Sequence, residues 1–94
     1  GVKQLTETLA VEWAPHNIQV NNISPGFIIT EMVQKLIDQG IHKPEKLSAR
    51  IPAGRMGQVD DLVGPAIFLA SGDADYVTGH TLIVDGGWMA NGYL

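Results

Sequence analysis

The sequence predicts the carboxyl-terminal part of an α/β domain, a doubly wound parallel sheet with flanking helices. Three observations lead there. Helical and extended patterns alternate along the chain as helix, strand, helix, loop, helix, strand. Thr81-Leu-Ile-Val84 is apolar through its centre, as a strand covered on both faces must be. The extended stretch Ile18–Ser24 ends abruptly at Pro25-Gly26, and in an open α/β sheet ligands sit where the chain leaves a strand's carboxyl end. Two buried strands are too few for an independent sheet of this class. Their neighbours are therefore expected from sequence outside these 94 residues or from another chain.

The first helix is read from the first residue onward. Val2, Leu5, Leu9 and Trp13 recur at steps of three, four and four and form one apolar stripe, with Thr6, Glu7 and Glu12 elsewhere on the surface. Pro15 lacks an amide donor and restricts its predecessor, so the helix ends there, and Asn17 suits the turn into the strand. After Pro25-Gly26 a second helix spans Thr30–Gln39. Thr30 is placed to cap it, Glu31 favours its positive end, Met32, Val33, Leu36 and Ile37 give its apolar face, and Gly40 stops it. Residues 40–57 are irregular, with a turn of helix at Pro44–Ser48 and a loop punctuated by Pro52, Gly54 and Gly57. A connection of that length is a lid or binding loop more often than plain packing.

A third helix covers Val59–Ala70, with Asp60 and Asp61 in its first turn and a wide apolar face from Val59, Leu62, Val63, Ala66, Ile67 and Ala70. Pro65 inside it removes a hydrogen bond or bends it. Asp85-Gly86-Gly87 makes a tight turn after the last strand and leaves Trp88–Leu94 as a tail.

Composition narrows the function classes. A 45% hydrophobic, 17% charged chain is globular, and the absence of cysteine removes a disulfide scaffold, a thiolate metal site and a thiol nucleophile. It fits a cytoplasmic protein. The net charge is −4 and the basic residues are scattered, which excludes a nucleic-acid footprint. No apolar run approaches the roughly 20 residues that span a bilayer. Asp60 and Asp61 have no convergent partners, so no metal site is expected, and His16 and His80 are isolated. For Pro25, Gly26 and Thr30, turn chemistry with an ordinary helix cap is one complete account and a ligand loop is another. Phe27 and Ile28 read equally as loop packing and as ligand contact.

The segments GVKQLTETLAVEWAPHNIQVNNISPGFIITEM, RIPAGRMGQVDDLVGPAIFLASGDADYVTG and HTLIVDGGW resemble, in order and spacing, the carboxyl-terminal part of the short-chain dehydrogenase/reductase family. The likeness covers nearly the whole chain and is weakest over residues 33–49. It implies a Rossmann-like sheet carrying NAD or NADP and a reaction that interconverts a secondary alcohol and a ketone. It further implies that Pro25, Gly26, Phe27, Ile28 and Thr30 bind the nicotinamide half of the cofactor, with backbone groups near Ile28 on the carboxamide and Thr30 reaching the carboxamide or the pyrophosphate.

The family's acid/base is a tyrosine with a lysine four residues later. Tyr76 and Tyr93 have no such lysine, so no catalytic residue is assigned, and the 94 residues alone are expected to be inactive. The phosphate-binding half is likewise expected outside residues 1–94, which read as one partial nucleotide-binding domain.

The ending resembles gluconate and deoxygluconate dehydrogenase-like members, which implies a sugar acid or polyol substrate. A 3-oxoacyl-carrier-protein reductase-like enzyme and an inactive interaction module are the alternatives. His42, Lys43, Lys46 and Arg50 either offer charge to an acidic substrate or form a solvated surface, and Met32, Leu36 and Ile37 either line a substrate entrance or dock a helix. Arg55 is read as a structural ion-pair partner. The resemblance also implies a homo-oligomer, dimer or tetramer, built through the 59–70 helix and the 80–85 strand, with Trp88, Met89, Tyr93 and Leu94 extending that contact or covering a pocket.

Overall fold

A computed structural model describes residues 1–91. Its elements are α1 (Val2–Trp13), β1 (Asn22–Pro25), β2 (Ile28–Ile29), α2 (Glu31–Asp38), α3 (Glu45–Arg50), β3 (Gly57–Gln58), α4 (Asp60–Ala70), β4 (Thr81–Val84) and α5 (Trp88–Asn91). They fall into two compact units. The first comprises Gly1–Ser24 with Val63–Ile83, and the second comprises Pro25–Leu62 with the segment that begins at Val84.

In the first unit, α1 runs into a 3-10 turn at Ala14–His16, where Pro15 stands, and Asn17 then takes the left-handed conformation at φ 60°. On α1 the structure differs from the sequence reading at Thr6, which was placed on the surface away from the apolar stripe. Val2, Leu5 and Trp13 are exposed, and the buried pair is Thr6 and Ala10, one turn apart. Thr6 tolerates burial because its hydroxyl donates to the Val2 carbonyl at 2.8 Å, so no polar group is left unpaired. Ala10 faces the Gly79 turn, where an added β-carbon would lie 3.4 Å from its methyl group.

The strand expected over Ile18–Ser24 begins only at Asn22. Side chains replace the ladder before it. The Val20 amide donates to the Thr78 hydroxyl, the Asn21 amide group donates to the Val77 carbonyl at 2.9 Å, and the Asn21 carbonyl oxygen accepts from the His80 amide. Backbone bonds from Gly79 to Val20 and from Asn22 to His80 advance together along both segments, which is the parallel sense, and β1 pairs with β4. Within the described residues the wide apolar face of α4 is left uncovered: Val63, Ile67 and Phe68 are exposed and none of the helix's residues is buried. Short two-stranded sheets offer too little surface to cover it.

In the second unit Ile51 and Met56 are buried, at 4% and 6% exposure, and form its apolar centre. Thr30 is outside α2 in an extended conformation and accepts the Val33 amide at 3.3 Å, which makes it the N-cap. Val33, Leu36 and Ile37 are half-buried, while Met32 is exposed. The turn of helix expected at 44–48 is α3, running to Arg50. Residues 28–29 and 57–58, to which the sequence assigned no strand, form β2 and β3, a parallel pair with Ile28 opposite Gly57. The tail forms α5 up to Asn91; Tyr93 and Leu94 lie outside the described residues.

Candidate functional site

The Pro25–Thr30 loop lies entirely in the second unit. Pro25 ends β1 without an amide to give, and the Gly26 amide makes the next bond, to the Val84 carbonyl at 3.0 Å. The chain there passes against Asp85 so closely that a β-carbon on Gly26 would stand 2.7 Å from Asp85 Cβ and 2.9 Å from its Cα. Glycine is therefore required at this position by packing from beneath, whatever lies above the loop.

Asp85 is itself fixed. One carboxylate oxygen accepts the Gly87 amide and the other the Met89 amide, each at 2.9 Å, which closes the expected tight turn and caps α5. From α5 the Trp88 ring meets Phe27 edge to face, with centroids 4.8 Å apart and planes at 75°.

Backbone direction at Ile28 follows from one bond. The Gly57 amide donates to the Phe27 carbonyl at 2.8 Å, so that carbonyl faces β3. A trans peptide sets the Ile28 N–H on the opposite side, and in the extended backbone the Ile28 carbonyl shares that side. Ile28 thus turns one donor and one acceptor away from its partner strand. Two residues on, the Thr30 hydroxyl accepts the cap bond and still carries its own proton, beside the positive end of α2. A pocket of about 170 Å³ borders this loop, lined by Phe27, Ile28, Ile51, Arg55, Asp61 and Asp85 among others. A primary carboxamide also has one acceptor and one donor group, so the edge of Ile28 fits it.

Arg55 does what the sequence reading favoured. Its guanidinium grips Asp61 with two bonds of 2.8 and 3.1 Å, and Asp61 also accepts the Gln58 amide at 2.7 Å. Hydrogen bonding from Arg55 first, and from the Gln58 amide second, lowers the Asp61 carboxyl to about 2, and the same contact raises the Arg55 pKa. Asp61 is more than the helix-terminal charge the sequence suggested, because it ties the β3 backbone to α4. Tyr76 belongs to the other unit and is fully exposed. No three metal-ligating side chains converge among the described residues, and none of their helices is long and apolar enough to cross a membrane.

Residues 1–89 match the family model described as enoyl-(acyl carrier protein) reductase, of the short-chain alcohol dehydrogenase type. The chain belongs to the short-chain dehydrogenase/reductase family. It is 52% identical over 91 residues to 2-dehydro-3-deoxy-D-gluconate 5-dehydrogenase of Dickeya dadantii (strain 3937), covering 96% of this chain and 35% of that protein. It is 45% identical over 88 residues to gluconate 5-dehydrogenase of Gluconobacter oxydans (strain 621H), covering 93% and 34%. The solved structure of ElxO with NADP bound superposes with a TM-score of 0.90 at 38% identity, covering 95% of this chain and 36% of that one. The chain thus spans about a third of the length of these relatives, and its α/β fold with parallel strands is Rossmann-like.

Proposed function

We propose that this chain forms the nicotinamide side of the cofactor site in an NAD(P)-dependent oxidoreductase that interconverts a secondary alcohol and a ketone on a sugar acid. The observation that carries the reading is the outward donor–acceptor edge of Ile28 beside the Thr30 hydroxyl, on a loop held from below by Asp85. The names of the relatives support the sugar-acid class, and the bound NADP of the ElxO structure supports the cofactor class, with NAD and NADP both open.

In this reading the Ile28 amide and carbonyl clamp a carboxamide and fix which ring face meets the substrate, and oriented reactants gain a large rate factor. Thr30 donates its proton to a carboxamide or phosphate oxygen, as a helix N-terminus favours. Pro25 and Gly26 set the path of the loop, and Phe27 shields one side of the pocket from water. The dinucleotide, when bound, supplies the hydride chemistry. The proton-transfer groups and the phosphate-binding half belong to the same nucleotide-binding domain, outside residues 1–94. The family membership supports a homo-oligomeric contact through the 59–70 helix and the 80–85 strand. A cytoplasmic location belongs with the nucleotide pool such an enzyme draws on.

The test is a turnover assay on the polypeptide that carries this chain, with NAD and NADP in turn, against sugar acids, uncharged polyols and 3-oxoacyl thioesters. Nucleotide-dependent turnover of a sugar acid is expected. Turnover confined to the thioesters, or none with any substrate, overturns the reading.

A further inference from the structure

Arg55 makes a hydrogen bond that its pairing with Asp61 does not require. Besides the two bonds to that carboxylate, its Nη1 donates to the Met56 carbonyl at 3.1 Å. We propose that Arg55 is a positioning residue of the cofactor site, which aims and polarises the Ile28 amide through the two peptide units between them. This rests on the nicotinamide reading above and adds to it the group that sets the clamp.

The path is made of whole peptide planes. The Met56 carbonyl and the Gly57 amide belong to one peptide unit, and the Phe27 carbonyl and the Ile28 amide belong to another. Arg55 donates into the first unit, whose Gly57 amide donates into the second at 2.8 Å. Each unit is planar and trans, with its carbonyl and its amide on opposite sides. Fixing the first plane at Met56 therefore helps to fix where the Ile28 N–H points. The next peptide unit is held by the same ion pair, because the Gln58 amide donates to Asp61 at 2.7 Å. Gly57 is thus gripped through both of its peptide units, an order that a strand of two residues does not supply alone. All of these residues belong to one compact unit.

Charge acts along the same path. A cation that donates to a carbonyl strengthens the amide donor of that peptide, and hydrogen bonds joined head to tail polarise one another. Nη1 carries two hydrogens, one for the Asp61 carboxylate and one for the Met56 carbonyl. The carboxylate therefore holds the guanidinium without taking the hydrogen that enters the path. Lysine has no such fixed fork. The Arg55 side chain is 60% exposed, where an ion pair contributes little to stability, so aiming the loop is the larger duty left to it.

The deciding experiment compares Arg55→Met and Arg55→Lys with the wild type in the polypeptide that carries this chain. Dissociation constants are measured for NADH and NADPH, and for the same nucleotides cut short of the nicotinamide, ADP-ribose and its 2′-phosphate. Arg55→Met is expected to weaken the preferred dinucleotide about three- to tenfold, the scale of one hydrogen bond, with the shortened nucleotide unchanged. Arg55→Lys is expected to fall between Arg55→Met and the wild type. The amide proton shifts of Gly57, and of Ile28 in the dinucleotide complex, are expected to move upfield as their bonds weaken. Equal weakening of both nucleotides, weakening of neither, or unmoved amide shifts overturn the inference while leaving the nicotinamide reading intact. A wild type for which the nicotinamide adds no affinity overturns both. Should Arg55→Met lower the thermal midpoint, the amide shifts of Arg55→Lys decide alone, and shifts equal to wild type overturn the assignment.

Discussion

Gly26 and Asp85 are in such close register that the α-hydrogen side of one backbone lies on the β-carbon of the other, with 2.7 Å left for any side-chain atom on Gly26. The neighbour there is backbone and a doubly bonded carboxylate, neither of which can turn aside. Gly26→Ala is therefore expected to destabilise the protein by about 1–3 kcal/mol, the usual cost of overpacking a tight site. A lower urea midpoint at unchanged m-value checks it; a midpoint equal to wild type contradicts the packing argument.

Gly57 provides a contrast. Its added β-carbon would meet the Ile28 Cδ1 atom at 2.6 Å, the far end of a side chain that can give way. Gly57→Ala is expected to cost less than Gly26→Ala, and Ile28→Val should offset part of that cost by removing the same methyl group. A double-mutant cycle reads this as a favourable coupling of a few tenths to about 1 kcal/mol, and strict additivity would contradict the contact.

The sign of the pH dependence at Asp61 follows from its lowered carboxyl. A carboxylate whose pKa falls on folding contributes stability that is fully present above its unfolded value and is lost as pH falls through the folded value, here about 2. The window therefore runs from about pH 4 down to about pH 2. Carbon-13 NMR titration of the Asp61 carboxyl is expected to show a midpoint near 2, and Arg55→Met should move it upward. An Asp61 midpoint that ignores Arg55 would remove the ion pair as its cause.

Thr30 carries two separable duties. Thr30→Ala is expected to lose about 1 kcal/mol as an N-cap and up to about tenfold in affinity for NAD or NADP, through the lost hydroxyl donor. Thr30→Asn keeps a good cap without the hydroxyl, so it should restore the thermal midpoint but not the nucleotide affinity. Equal recovery of both would reduce Thr30 to a cap.

Much of this molecule was legible because short-range rules acted locally. The Thr30 cap and the Gly40 stop bracket α2, Pro15 ends α1, and Asp85-Gly86-Gly87 turns the chain as its composition demands. What escaped lacked a local signature. A two-residue strand such as β2 or β3 has no period to detect, so the orientation of Ile28 came only with its partner Gly57. The burial of Thr6 on α1 escaped because the residue disposes of its own hydroxyl within the helix, which no apolar period signals. The start of β1 was misplaced because Asn21 does the work of a ladder with its side chain. The Pro25–Thr30 loop was visible as a turn with a cap, but nothing in its letters shows that Asp85, far along the chain, is its floor.

That floor also joins two parts of the site. Asp85 supports Gly26 on one side and, through the Met89 amide, sets the first turn of the helix that carries Trp88. The loop that offers Ile28 and the helix that carries Trp88 are thus surveyed from a single benchmark. A shift of Asp85 displaces both together and preserves the spacing between them, whereas a change in Phe27 or Trp88 alters that spacing alone. The spacing of loop and helix is kept by the two rings, and their position in this unit by one acid.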